Sequence, residues 1–318
     1  MRRIITSLLA LSALSLLVAC GGGGSSSSNG TLSVSLTDAP VDDANAVVIH
    51  FTKATIQPAD GDRFTIDIVD PLTQQPGRSI DLLQLSGDKS TVLFDQSIDA
   101  GNYSWIRLEV DFDPLKTYID IGGQQFALDC TSCDNNGLKL NRSFSVDSDN
   151  PQAVTLDFDL RKSITKPKSK AAYTLRPTIR IIDTEGAGKI SGNIDASLIS
   201  QLIPIDGDAK NCLVYVYTGQ DIAPDDIYLP VTNTLPATYN NPVTTAPAIL
   251  DSTSGEYQYM AAFLPEGSYT VSLTCNADLD DPELDDDTVE FTGTSNVEVA
   301  AGMTSTHHFS IPTIVVTP

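Results

Sequence analysis

Thr31-Leu32-Ser33-Val34-Ser35-Leu36-Thr37 alternates polar and apolar side chains at every step. A period of two puts Leu32, Val34 and Leu36 on one face of an extended chain and the hydroxyl residues on the other, the pattern of a half-buried β-strand. It returns at Ile106, Leu108, Val110 and Phe112, interleaved with Arg107, Glu109 and Asp111, and again at Val154, Leu156, Phe158 and Leu160, interleaved with Thr155, Asp157 and Asp159. The strand-borne aspartates read as solvent-facing. Residues 46–51 are apolar on nearly both faces, as a central strand would be, and residues 175–182 close the series. Ala59-Asp60-Gly61-Asp62 and Asp99-Ala100-Gly101-Asn102 are turn sequences between these runs. A short helical turn is expected within 79–85, where Ile80, Leu82, Leu83 and Leu85 cluster.

Asp183-Thr184-Glu185-Gly186-Ala187-Gly188 marks a boundary, and a second alternating system follows it. Its expected strands are 189–194, 212–218, 257–264, 268–275, 289–292, 295–299 and 307–311, with a short helix at 196–202. Residues 219–256, rich in Pro, Thr and Asn, read as long loops. Many short strands, frequent turns and little helical periodicity predict an all-β chain of two β-sandwich-like domains, residues 31–183 and 188–318. No convincing internal repeat is present, although both halves carry a Gly-x-Tyr before a strand, as at Gly101-Asn102-Tyr103 and Gly267-Ser268-Tyr269.

The 318 residues include 19 Lys and Arg against 41 Asp and Glu, a formal charge of −22, with 41% hydrophobic and 19% charged residues. That hydrophobic content supports packed cores and excludes wholesale disorder. The acidic balance argues against nucleic acid, because a polyanion would be repelled.

Arg2 and Arg3 precede an uncharged run of 16 residues, 4–19. That is shorter than the ~20 residues a spanning helix needs and suits the apolar region of a signal peptide. The run ends in Leu17-Val18-Ala19-Cys20, which resembles the lipobox of bacterial lipoproteins. The resemblance implies a signal peptide at 1–19, cleavage before Cys20, and acyl chains on its sulfur and new amino group; an ordinary secretory peptide is the other reading. Several chains anchor stably where one binds only marginally. Residues 20–30 would then be the lipidated cysteine and a tether, Gly-Gly-Gly-Gly-Ser-Ser-Ser-Ser-Asn-Gly, reaching on the order of 15–20 Å. By analogy with enteric sorting, Gly21 rather than Asp favours the outer membrane. The expected location is therefore the bacterial cell envelope, held through the lipid anchor.

Four further cysteines in an exported chain suggest two disulfides. Cys212 shares a strand face with Val214 and Val216, and Cys275 shares one with Val271 and Leu273, so a Cys212–Cys275 bridge is expected in the second core. Cys130-Thr131-Ser132-Cys133 is a C-x-x-C, open to three readings: a loop-closing disulfide, a redox pair or half a zinc site. Flanking Asp129 and Asp134 oppose a lowered thiolate pKa, and no second C-x-x-C or spaced His pair completes a zinc site. The disulfide is favoured.

Four pieces of the first half carry a family resemblance: Ser35-Leu36-Thr37-Asp38-Ala39-Pro40-Val41-Asp42-Asp43-Ala44, Ile80-Asp81-Leu82-Leu83-Gln84-Leu85, Ala100-Gly101-Asn102-Tyr103-Ser104-Trp105-Ile106-Arg107-Leu108, and Tyr173-Thr174-Leu175-Arg176-Pro177-Thr178-Ile179-Arg180. Together they make residues 31–183 similar to the domain-of-unknown-function 4382 family of bacterial lipoproteins, a resemblance that implies a fold unit without a chemistry. Residues 262–271, Ala-Phe-Leu-Pro-Glu-Gly-Ser-Tyr-Thr-Val, resemble a strand, turn and strand of transthyretin-like or carboxypeptidase-regulatory-like β-sandwiches. That likeness implies a structural or carbohydrate-associated accessory.

The chemically loaded stretch is 278–287, where Asp278, Asp280, Asp281, Glu283, Asp285, Asp286 and Asp287 stand without a base among them. A hard cation would relieve their repulsion, and these seven are the candidate Ca²⁺ ligands; a solvated acidic loop is the plainer reading. EF-hand spacing is not met, because Pro282 falls where a ligand belongs. Asp38, Asp42 and Asp43 form a second, weaker acidic cluster, in which Asp38 reads rather as the start and cap of an Asp-Ala-Pro turn. Arg161, Lys162, Lys166, Lys168 and Lys170 read as an exposed hairpin tip or a contact for anionic lipid. His50 reads as a core residue, and His307 and His308 as neighbours facing opposite ways. No nucleophile elbow, zincin motif or phosphate loop occurs. The expected function is a non-catalytic, lipid-anchored envelope protein with no cofactor beyond Ca²⁺, whose partners are the membrane and a glycan or protein ligand. A Ca²⁺-dependent adhesin-like module and a carboxylate-dependent hydrolase are the alternatives.

Overall fold

The alternation at 31–37 becomes the strand Asn29–Ala39, the centre of a four-stranded sheet. In the computed structural model, which describes residues 28–39, 44–133, 137–165, 172–203, 207–229, 239–285 and 288–311, it lies between Gln152–Asp159, to which it is parallel, and Thr91–Asp99, to which it is antiparallel. Ile179–Asp183 completes that sheet on the far side of Gln152–Asp159. The expected signal peptide, Cys20, most of the tether, and Lys166, Lys168 and Lys170 lie outside the described residues. Among those described, no helix is long and apolar enough to cross a membrane.

A ten-stranded sheet faces this one, built around Ala46–Pro58 and Gly101–Val110. Leu32, Val34 and Leu36 meet Ile49, Phe51 and Ile56 in a single apolar core. Phe51 and Phe158 cross between the sheets edge to face, with ring centroids 6.1 Å apart. The helical turn expected within 79–85 is Leu82–Leu85, capped by the Asp81 carboxylate. Expected strand 175–182 is two strands, Tyr173–Leu175 and Ile179–Asp183, lying in different sheets. Pro177 falls between them, where its missing N–H costs no ladder bond.

The second sandwich pairs two four-stranded sheets. One runs Ile249–Leu250, Tyr257–Pro265, Ala187–Ile194, Thr304–Thr306; the other runs Thr244–Pro247, Leu213–Thr218, Gly267–Thr274, Thr292–Val299. Ile190, Ile194, Val214, Val216, Val271 and Leu273 share the core with Cys212 and Cys275. The 219–256 stretch, expected as loops, contributes Thr244–Pro247 and Ile249–Leu250. Expected strands 289–292 and 295–299 are one strand, Thr292–Val299. Residues 307–311 hold only an isolated bridge at Phe309, the true strand being Thr304–Thr306. Leu213–Thr218 is buried on both faces, because Leu213, Tyr215 and Tyr217 point away from the main core into a small second one with Ile227 and Ala277.

Gly101-Asn102-Tyr103 and Gly267-Ser268-Tyr269 do the same job. In each, the chain leaves one sheet and enters the other within a single residue, at Ala100 and at Glu266. Gly101 and Gly267 take φ of +155° and +153°, a region that a Cβ disfavours. Tyr103 and Tyr269 each donate from the hydroxyl to the carbonyl four residues back, Asp99 at 2.5 Å and Pro265 at 2.8 Å. This is a tyrosine staple at the crossover, of the kind that holds β-sandwich corners.

Disulfides join Cys130 to Cys133 and Cys212 to Cys275. The second spans a separation of 63 residues, for which the chain-entropy argument gives about 4 kcal/mol. Replacing both Cys212 and Cys275 with Ala is expected to lower the thermal midpoint accordingly. An unchanged midpoint under non-reducing conditions would show that the bridge contributes nothing.

Candidate functional site

The strand Gln152–Asp159 turns directly into the one-turn helix Leu160–Ser163, and this junction concentrates buried charge. Val154, Leu156 and Phe158 fill the first core. The alternate residues were expected to face water, yet Asp157 and Asp159 are only 4% and 1% exposed. The cause is tertiary: their side of the sheet is covered by the second sandwich. Arg180 on the neighbouring strand donates from its Nε to Asp157 at 2.9 Å. Asp159 caps the helix by accepting the Lys162 N–H at 3.1 Å and pairs with the Lys162 ammonium at 2.6 Å.

Arg161 and Lys162, expected at an exposed tip, are buried at 4% and 7% exposure. Each reaches into the second sandwich. Lys162 Nζ donates to the carbonyls of Pro242, at 2.6 Å, and Val243, at 3.3 Å. Arg161 donates to the Ala277 carbonyl and lies 3.9 Å from the Asp280 carboxylate. Two further pairs cross the seam nearer to water: Arg176–Glu283 at 2.7 Å and Lys189–Asp88 at 2.8 Å. A withdrawn cation must find anions or carbonyls, because an unpaired buried charge is prohibitive.

Asp280 is the receiving end. It accepts the Tyr215 hydroxyl at 2.5 Å and the Ile227 N–H at 3.2 Å. Burial pushes its carboxyl up to about 6, against the opposing pull of Arg161, Tyr215 and Ile227. Behind it, Asp226 receives the Tyr239 hydroxyl, and Tyr217 donates to the Asp225 carbonyl at 2.6 Å. Burial, then the neighbouring Asp226, raises Asp225 to about 6 as well. Asp225, Asp226 and Tyr215 belong to no motif in the sequence. The available signal was the aromatic alternation of Tyr215 and Tyr217, which gives a supposed outer face two large side chains.

Of the seven candidate Ca²⁺ ligands, the five described ones are not gathered into one group. Asp278, Asp281 and Asp285 are exposed, Asp280 is turned inward, and Glu283 is engaged by Arg176. Asp281 accepts the Glu283 N–H at 3.0 Å, closing the turn locally. Asp286 and Asp287 lie outside the described residues. Among the described residues, no group of three or more His, Cys, Asp or Glu is arranged to hold a metal. Asp38 lies in the strand Asn29–Ala39, one residue before its end, and is 4% exposed, while Asp42 and Asp43 lie outside the described residues. His50 is half-buried and shares a 2.8 Å hydrogen bond with Ser79, while His308 accepts the Asn193 N–H at 3.0 Å.

No curated protein matches the chain. Among solved structures, it is similar over 90% of its length to a leucine-rich repeat protein from Bacteroides thetaiotaomicron, at 12% identity and a TM-score of 0.21, but spans only 26% of that protein. It is also similar to the minor pilin GBS52 of Streptococcus agalactiae, at 11% identity and a TM-score of 0.18, over 90% of this chain and 99% of that one. The tip fimbrial protein Mfa3 of Porphyromonas gingivalis gives 9% identity and a TM-score of 0.22, over 90% and 96%. Scores at this level carry no argument about fold or role. The family model described as "Domain of unknown function (DUF4382)" matches residues 29–177. That stretch contains the first sandwich's central strands and the Arg161-Lys162 helix, and over those residues the chain is similar to the DUF4382 family.

Proposed function

We propose that the chain is a lipid-anchored protein of the bacterial cell envelope, in which two β-sandwiches locked into one body serve as a non-catalytic binding or structural module. The observation that carries this reading is the insertion of Arg161 and Lys162 from the first sandwich into the second. Groups that would be the first candidates for acid–base chemistry, Asp159 and Asp280, are spent on holding that junction. A body stiffened in this way transmits position and load, which suits presentation of a surface more than a catalytic cycle. Support for the anchor comes from Leu17-Val18-Ala19-Cys20 and the Gly/Ser run after it. The partner would be a glycan or a protein met at the envelope, since the charge of −22 repels polyanions.

Two measurements test this. Cells given labelled palmitate should label the chain and should not label its Cys20→Ala variant; absence of label from both ends the anchored reading. Arg161→Met should cost about 3–5 kcal/mol at about pH 7.5, where Asp280 is ionised and left bare. The loss should be smaller near pH 5, because a carboxyl raised to about 6 is neutral there. Urea unfolding should also separate into two transitions. A single transition with a loss below about 1 kcal/mol, the range of an exposed pair, would show that the junction does not bind the sandwiches together.

A further inference from the structure

Between the sandwiches lies a crevice of about 10 Å³, lined by Thr37, Asp38 and Asp157 from the first and by Thr244, Thr245 and Phe263 from the second. Three of the buried oxygens without a hydrogen-bond partner belong to residues that line it: both carboxylate oxygens of Asp38 and the hydroxyl of Thr245. Asp38 is 4% and Thr245 3% exposed. Native structures rarely leave such atoms unsatisfied, so three from opposite sides of one interface mark a place where something binds.

The surrounding charges say what is missing. On the adjacent parallel strand stand Asp157, paired with Arg180, and Asp159, paired with Lys162. Asp81, ahead of the Leu82–Leu85 turn, also faces Asp38 as a like charge. The 86–89 loop beside it carries Asp88, which pairs with Lys189, and Lys89, whose carbonyl accepts the Thr37 hydroxyl. The Leu160 N–H is the one favourable neighbour of the Asp38 carboxyl. From the second sandwich the crevice receives Thr244, Thr245, Pro247 and Met260 to Phe263, none of them ionisable. The inner cluster is therefore Asp38, Asp157 and Asp159 against Arg180 and Lys162, short of one positive charge.

A metal ion is a poor candidate for that charge. Calcium takes roughly 6–8 oxygens and magnesium keeps several of its waters, whereas the crevice offers three unpartnered oxygens and room for about one water-sized species. A proton needs one oxygen and no space. We propose that the seam is a proton-binding site in which Asp38 is held as the neutral acid, and that its ionisation loosens the junction between the two sandwiches. A neutral Asp38 gains a donor to offer across the crevice, and the Thr245 hydroxyl can accept it directly or through one water. Burial first, then Asp157 and Asp159, hold this carboxyl well above the usual carboxylate range, which agrees with the geometry. The site is independent of the Cys20 anchor, so the two can fail separately.

The sign follows from linkage. A carboxyl raised in the folded state contributes stability that is complete below its ordinary value, near 4, and is lost as pH rises through the folded value. Urea unfolding of the intact chain and of Asp38→Asn should therefore agree near pH 4 and diverge above it. The parent should lose up to about tenfold in its folding equilibrium per pH unit relative to the variant. Taking the difference cancels Asp225 and Asp280, which titrate in both proteins. A difference that is flat with pH overturns the proposal, as does a parental loss that NaCl or CaCl₂ restores in the parent alone, since a metal would then fill the crevice. Should Asp38→Asn not fold, the infrared spectrum of the parent decides. A protonated-carboxyl band larger than Asp225 and Asp280 supply must persist above the ordinary carboxylate range, and its absence overturns the proposal.

Discussion

Arg161 and Lys162 are neighbours in the chain, and both are withdrawn from water at the junction of two sandwiches. Most of what surrounds them can be understood as the cost of that placement. Lys162 requires Asp159 beside it and two carbonyls ahead of it. Arg161 requires the Ala277 carbonyl and a carboxylate, and the carboxylate in turn requires Tyr215 and Ile227 to satisfy its remaining lone pairs. A buried ionic network is tolerable only when its members are matched, because one missing partner exposes the full desolvation cost of the rest.

This requirement explains the double-sided burial of two strands. Gln152–Asp159 and Leu213–Thr218 each give one face to their own core. Their other faces are covered at or near the junction, one by charged pairs and one by a small cluster of tyrosines and aliphatics. The acidic 278–285 stretch lies here because Asp280 is needed inside, while its neighbours Asp278 and Asp281 stay in water. What looks like a single charge run is one structural carboxylate in an exposed frame, plus a glutamate tied back to Arg176.

Within each sandwich the problem is different and is solved twice in the same way. A chain that must pass from one sheet to the other in a single residue needs a backbone conformation that side chains disfavour, and something to hold it. Gly101 with Tyr103 and Gly267 with Tyr269 supply both. The shared device accounts for the one sequence similarity between the halves without requiring that they be repeats.

Local patterning alone sets the all-β class, most of the strands, the Leu82–Leu85 turn, the helix Ala196–Leu202 and the apolar face on which Cys212 and Cys275 meet. Those features are local: a period of two, a turn residue or a cap is written within a few positions and read by the backbone there. The burial of Asp38, Asp157, Asp159, Arg161, Lys162 and Asp280 comes from the packing of one sandwich on the other. Alternation says which residues share a face and is silent about what covers it. A charged residue on the second face of a strand looks the same whether water or another sandwich lies opposite. The difference is made by partners far along the chain, 80 positions for Lys162 and Pro242 and 116 for Arg161 and Ala277, and pairing at that distance leaves no periodic mark in the chain.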